Sequence, residues 1–232
     1  MVGEGGMGEG GKNPSSDSVQ VTLRRLPAWK RGLLTVMGWM AALTEGYNPV
    51  WSSEIFATYS FRQAFRYTSR IFKVLGKMDK EFGEVATQFL AAMSATWNGC
   101  SYCSVGHLYA ANLIYFKETG KLLPVSEASV PALRRLRDSD LRDTLNTLLD
   151  VPGLESLRHL VARHGELRFD GVVPENDRDR LMVACHASWD WLNECTIVFD
   201  QGHVPPLNAI GRQKALLAAY HDARAEEGVG AA

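Results

Sequence analysis

From Pro27 onward, apolar residues recur at the three- and four-residue steps of amphipathic helices. Pro27 suits a first helical turn, and Trp29, Leu33, Val36, Met37 and Met40 follow at helical spacing. A second helix is predicted over about Ser60 to Leu75, with Phe61, Phe65, Thr68, Ile71 and Leu75 on one face. Asp79 is then expected to cap a third helix, where Phe82, Val85, Phe89, Met93 and Trp97 form an apolar stripe. Asn98-Gly99 breaks it. A fourth helix is expected from about Ser101 to Lys117, stopping at Gly120. A linker from Leu123 to Pro131 leads to shorter helices over about Asp138 to Leu149 and Leu154 to His164. A long helix follows Pro174, and a last one spans about Leu207 to Ala225. No segment alternates with period two between turn signals, so the expected fold is an all-α bundle without a sheet.

The ends differ from the middle. Residues 1–20 are rich in Gly, Ser and acid, and residues 226–232 read EEGVGAA. Neither stretch can bury enough surface to offset chain entropy, so both are expected to be disordered around one helical domain over 21–225. Composition changes little in this picture. An apolar share of 46%, a charged share of 22% and a net charge of -1 are ordinary for a globular chain, and no basic patch argues for nucleic acid. The longest apolar run, Gly32 to Leu43, is about 12 residues, short of the roughly 20 that span a bilayer. Arg24-Arg25 upstream invites an export reading, but Thr44 and Glu45 stand where a small-residue cleavage site belongs. A cytoplasmic protein is expected.

Four cysteines (Cys100, Cys103, Cys185 and Cys195) are too few for a disulfide scaffold and suit a redox or metal role. The informative stretch is Trp97 to His107, WNGCSYCSVGH. Cys100 and Cys103 fall at a helix start, where unpaired N–H groups and the helix dipole favour thiolate over thiol. His107 lies four residues past Cys103, on the same helical face, able to take a proton from the thiol or deliver one to a leaving oxygen. Cys100 is placed to close a disulfide once Cys103 is oxidised. If the third and fourth helices form a hairpin at Gly99, Gln88 lies about 15 Å before the turn and His107 to Ala111 about 10 to 16 Å beyond it. Ala91, Ala92, Ala95, Ala110 and Ala111 would allow close approach, making Gln88 a neighbour of His107.

Asn98-Gly99-Cys100-Ser101-Tyr102-Cys103 with His107, after a helix ending Ser94-Ala95-Thr96-Trp97, resembles the AhpD-like alkylhydroperoxidase branch of the carboxymuconolactone decarboxylase family. The specific likeness covers about 30 residues, Gly83 to Asn112. It implies an all-helical homo-oligomer that reduces hydroperoxides with a dithiol reductant and no cofactor or metal. Cys103 would attack the peroxide, Cys100 would resolve the sulfenic acid, and His107 would move protons. The family pattern has a Glu twelve positions before the first cysteine. Here that position is Gln88, an amide that can hydrogen-bond His107 but cannot exchange a proton at neutral pH.

Other readings stay open. Leu192-Asn193-Glu194-Cys195, with His203 beyond, loosely echoes the first motif and could be a decayed second copy. Zinc would need a fourth ligand from Cys195 or His203. Haem attachment needs the His directly after the second Cys, and a thioredoxin-like site needs a βαβ setting. A His-dependent enzyme without thiol chemistry and a non-catalytic oligomeric scaffold are the rival functions. Cys185 is expected in the core, His159 and His164 on the surface, and His186 and His221 outside any constellation. The tryptophans are expected in the core or at an oligomer interface, and Arg134, Arg135 and Arg137 with Asp138, Asp140 and Asp143 on a solvated mixed-charge face.

Overall fold

A computed structural model describes residues 26–44, 46–47, 55–56, 59–195 and 204–230, with the side chains of 193–195 and 229–230 left aside. The described chain is all-helical, 78% helix with no strand. In order, the helices are α1 (Ala28–Thr44), α2 (Phe61–Phe82), α3 (Glu84–Trp97), α4 (Ser101–Thr119), the short α5 (Val130–Leu133), α6 (Asp138–Leu148), α7 (Glu155–Phe169), α8 (Asp177–Cys195) and α9 (Lys214–Gly230). None of the described helices is long and apolar enough to cross a membrane. The expected N-terminal lead, Arg24-Arg25 and His203 lie outside the described residues.

The centre is the α3–α4 hairpin. Every residue of α3 from Ala86 to Thr96 is buried, and so is most of α4, including Ala110 and Ala111. Small side chains on both helices bring the backbones together, as their spacing implied. The turn is made by Gly99 at φ 87, a conformation that costs a non-glycine residue strain. Arg134 fastens it from outside by donating from Nη2 to the Gly99 carbonyl oxygen at 2.8 Å. Arg137 and Asp140 are exposed, as expected of a solvated face.

Around the hairpin pack α2, α7, α8 and α9. Helix α2 begins at a Ser60–Gln63 capping box and runs well past its expected end at Leu75. Asp79 is therefore inside α2 and caps nothing; Gly83, at φ 85, is what turns the chain into α3. The face of α2 that enters the core carries Ala64, Val74 and Met78, while Phe61, Phe65 and Phe72 are exposed. Phenylalanine at helical spacing was thus a poor guide to the inward face. A third face of α2 aligns the exposed Arg62, Arg66, Arg70, Lys73, Lys77 and Lys80, so its cations are concentrated where none were expected.

Helix α9 starts later than anticipated and continues past its expected end at about Ala225, through Glu226 and Glu227 to Gly230. Arg224 anchors this part of the helix. It donates to Asn112 Oδ1 and to the Leu123 carbonyl oxygen at 2.5 and 2.7 Å, and pairs with Glu227 one turn on at 2.7 Å.

Candidate active site

The WNGCSYC sequence folds as a helix end, a turn and a new helix start. Cys100 is the N-cap of α4: its Sγ accepts a hydrogen bond from the Cys103 N–H at 3.2 Å. Its own N–H donates to the Ala95 carbonyl oxygen at 2.9 Å and to Asn98 Oδ1 at 3.2 Å. The Ser104 hydroxyl closes the turn by donating to the Cys100 carbonyl oxygen at 2.6 Å. Both thiols are free and buried.

One turn along α4, the buried His107 presents Nδ1 to Gln88 Oε1 of α3 at 2.7 Å. The hairpin therefore joins the two residues that helix geometry paired. An amide oxygen can only accept, so Nδ1 carries the proton and Nε2 is left with its lone pair. Nε2 makes no hydrogen bond among the described residues. The Trp189 ring of α8 meets His107 edge-on, with centroids 5.1 Å apart.

Cys103, His107 and Gln88 line one cavity of about 220 Å³. Its walls come from elsewhere in the chain. Helix α2 supplies Ile71, Phe72, Leu75 and Asp79, α8 supplies Trp189 and Leu192, and the segment before α9 supplies Leu207 and Asn208. That last segment crosses α4 closely because residue 106 is glycine. The Leu207 N–H donates to the Gly106 carbonyl oxygen at 2.9 Å, and a Cβ on Gly106 would collide with the Leu207 side chain. Cys100 does not reach the cavity.

Electrostatics change one expectation. Hydrogen bonding with the Cys100 sulfur, then burial, then the charge of Cys100 hold the Cys103 thiol well above its usual range; the backbone offsets only part of this. The helix start is present, yet Cys103 rests as a thiol and not as the expected thiolate. Burial lowers His107 to about 3, so the ring is neutral at physiological pH and Nε2 keeps its lone pair.

A second polar cluster lies inside the bundle, and sequence reasoning missed it. Ser94 Oγ is 2.8 Å from His164 Nε2, 3.2 Å from His186 Nδ1 and 3.6 Å from Cys185 Sγ. The two imidazoles stack with centroids 3.9 Å apart, and Trp97 lies against both. The expected surface position of His164 is wrong: it is fully buried. The signal was available, since Leu157, Val161 and His164 fall on one buried stripe of α7. Cys185 is in the core as expected, with burial pushing its thiol up to about 12.

Among the described residues, no group of three or more His, Cys, Asp or Glu side chains is arranged to hold a metal ion. The Cys195 side chain and His203, invoked above as a fourth zinc ligand or a second copy of the motif, fall outside the described residues. Comparison with family models, with curated proteins and with solved structures found no match.

Proposed function

We propose that this protein is a thiol-dependent peroxidase of the AhpD-like type, reducing organic hydroperoxides at Cys103. The carrying observation is a single cavity lined by a thiol and by an imidazole whose free nitrogen is an acceptor. His107 Nε2 takes the Cys103 proton, and the thiolate attacks the outer peroxide oxygen. An S–O bond forms, the O–O bond breaks, and the departing alkoxide is protonated to the alcohol. The Cys100 thiol then displaces water from the Cys103 sulfenic acid to give a disulfide, and a dithiol reductant restores both thiols. The lining of Ile71, Phe72, Leu75, Trp189, Leu192 and Leu207 suits a hydroperoxide with a small hydrocarbon body.

The test is peroxide-dependent turnover with cumene hydroperoxide and a dithiol, together with mapping of a Cys100–Cys103 disulfide. Turnover by Cys103→Ser equal to that of the parent rules the reading out. A second reading has its own support in the protonated Cys103 thiol: the neutral His107 acts as a base on a carbon acid, without sulfur chemistry. Activity retained after Cys100 and Cys103 are both changed to Ser selects it.

The protein is further proposed to act as a homo-oligomer in the cytoplasm. Trp29, Trp39 and Phe65 are each 60% or more exposed on α1 and α2, an arrangement that suits burial against a second copy. Sedimentation of the parent and of Trp39→Glu as equal monomers would oppose it.

A further inference from the structure

Asp79 is an acid in the interior of α2, and its helix turns it toward the cavity that holds Cys103 and His107. Its position follows from the corner at Gly83. Asp79 lies one turn before that corner and Thr87 and Gln88 one turn after it, so the three meet where α2 and α3 cross. Asp79 Oδ1 is buried without a well-formed hydrogen bond, the Thr87 hydroxyl being the polar group that acts on the carboxyl, while the surrounding wall is formed by Leu75, Trp189 and other apolar groups. A carboxylate oxygen left unpaired in such surroundings is costly unless the group is protonated or a ligand completes it.

We propose that Asp79 is the acid that protonates the departing alkoxide, at the site where Cys103 attacks and His107 holds the thiol proton. This rests on the peroxidase reading above. The proton count closes. The thiol proton moves to His107 Nε2, the S–O bond forms as the O–O bond breaks, and the Asp79 carboxyl proton goes to the alkoxide oxygen. The proton on His107 then returns to Asp79 through the cavity, leaving a sulfenic acid and an alcohol. Gln88 cannot take this role because an amide has no proton to exchange; it fixes the His107 tautomer instead.

The surroundings shift Asp79 toward its protonated form. Burial raises the Asp79 pKa, the Thr87 hydroxyl offsets part of the rise, and the charge of Glu84 on α3 adds to it. On its own helix, Lys80 is exposed and Glu81 is engaged by Arg178 of α8 at 3.6 Å. From α4, the cavity receives the neutral His107 and the protonated Cys103. Among the described residues, no cation lines this cavity with Asp79.

The test separates an acid from a structural residue by leaving-group basicity. Cumene hydroperoxide releases a basic alkoxide that needs a proton; peracetic acid releases acetate, which does not. In the full chain, trapping of the Cys103 sulfenic acid with a cyclic dione gives the rate of the first step. Asp79→Asn is expected to slow this step about 10-fold or more with cumene hydroperoxide and to leave peracetic acid within about twofold. Equal slowing with both oxidants, or no slowing with either, overturns the role of Asp79 while leaving the peroxidase reading in place. A parent protein whose Cys103 is oxidised by neither removes that reading and this proposal together. Should Asp79→Asn not fold, carboxyl carbon NMR of the unaltered protein decides. The Asp79 signal should titrate above the ordinary carboxylate range and move when cumyl alcohol is added; a carboxylate ionised throughout and unmoved overturns the assignment.

Discussion

His107 and Gln88 stand nineteen residues apart in sequence and are joined by a 2.7 Å hydrogen bond from ring Nδ1 to amide Oε1. This contact determines which face of the imidazole is basic. A carboxylate at the same place would give Nδ1–H a charged acceptor and strengthen Nε2 as a base. Gln88→Glu is therefore expected to speed Cys103 oxidation by cumene hydroperoxide about 10-fold or more, and Gln88→Met to slow it by a similar factor. Stopped-flow measurement of the first turnover reads both. Equal rates across the three proteins would show that the tautomer is set by something else.

The buried histidines make the fold sensitive to acid. Burial holds His107 at about 3 and His186 at about 4, and lowers His164 as well, against about 6.5 in an unfolded chain. As pH falls below about 6.5, the unfolded chain takes up protons that the folded one refuses, so stability falls with pH. Each such histidine contributes up to about 1.4 kcal/mol per pH unit until its folded value is reached. Urea midpoints at pH 7.5, 6.5, 5.5 and 5 should decline steeply through the lower three. A flat profile above pH 5 would contradict the burial of these rings.

Ser94 bridges two rings at once. The His186 Nε2–H must donate to the His164 carbonyl oxygen, at 3.1 Å, because that oxygen can only accept. His186 Nδ1 is then an acceptor and takes the Ser94 O–H, leaving Ser94 to accept from the His164 Nε2–H. Ser94→Ala strands a buried donor and a buried acceptor, so a loss of about 1–3 kcal/mol in urea unfolding is expected. Loss of less than about 0.5 kcal/mol would mean that water or a rearranged ring replaces the hydroxyl.

Gly106 sets how closely the segment before α9 lies on α4. A methyl group there meets the Leu207 side chain and comes within 3.0 Å of the Pro205 carbonyl oxygen. Gly106→Ala should displace Leu207 and Asn208 and open the cavity. Expected results are about 1–3 kcal/mol of destabilisation and faster alkylation of Cys103 by N-phenylmaleimide. Unchanged alkylation would show that Cys103 is reached from another side.

The hairpin and the Gln88–His107 pair were legible because they depend on local rules. Helix rise, a turn at Asn98-Gly99 and small residues at matched distances sufficed to place two side chains together. Asp79 was misread for an equally local reason. An acid before the Phe82–Trp97 stripe looks like a cap, and only the backbone shows that Gly83 makes the corner. His164 was misplaced because arginines beside it suggested solvent, although its periodicity with Leu157 and Val161 pointed inward. The cavity walls were beyond reach of pattern, since Leu207 meets Cys103 and His107 only through packing over a hundred residues of separation.

The α3–α4 hairpin holds the sulfurs and the imidazole, whereas the surfaces facing them are lent by α2, α8 and the approach to α9. The thiol and the imidazole thus lie on one stretch of chain and most of the apolar lining on others. Exchanging Ile71, Phe72 or Leu207 for residues of other size reshapes the space offered to a guest without disturbing the machinery behind it. A scaffold divided in this way can be retuned to new guests by changing its lining alone.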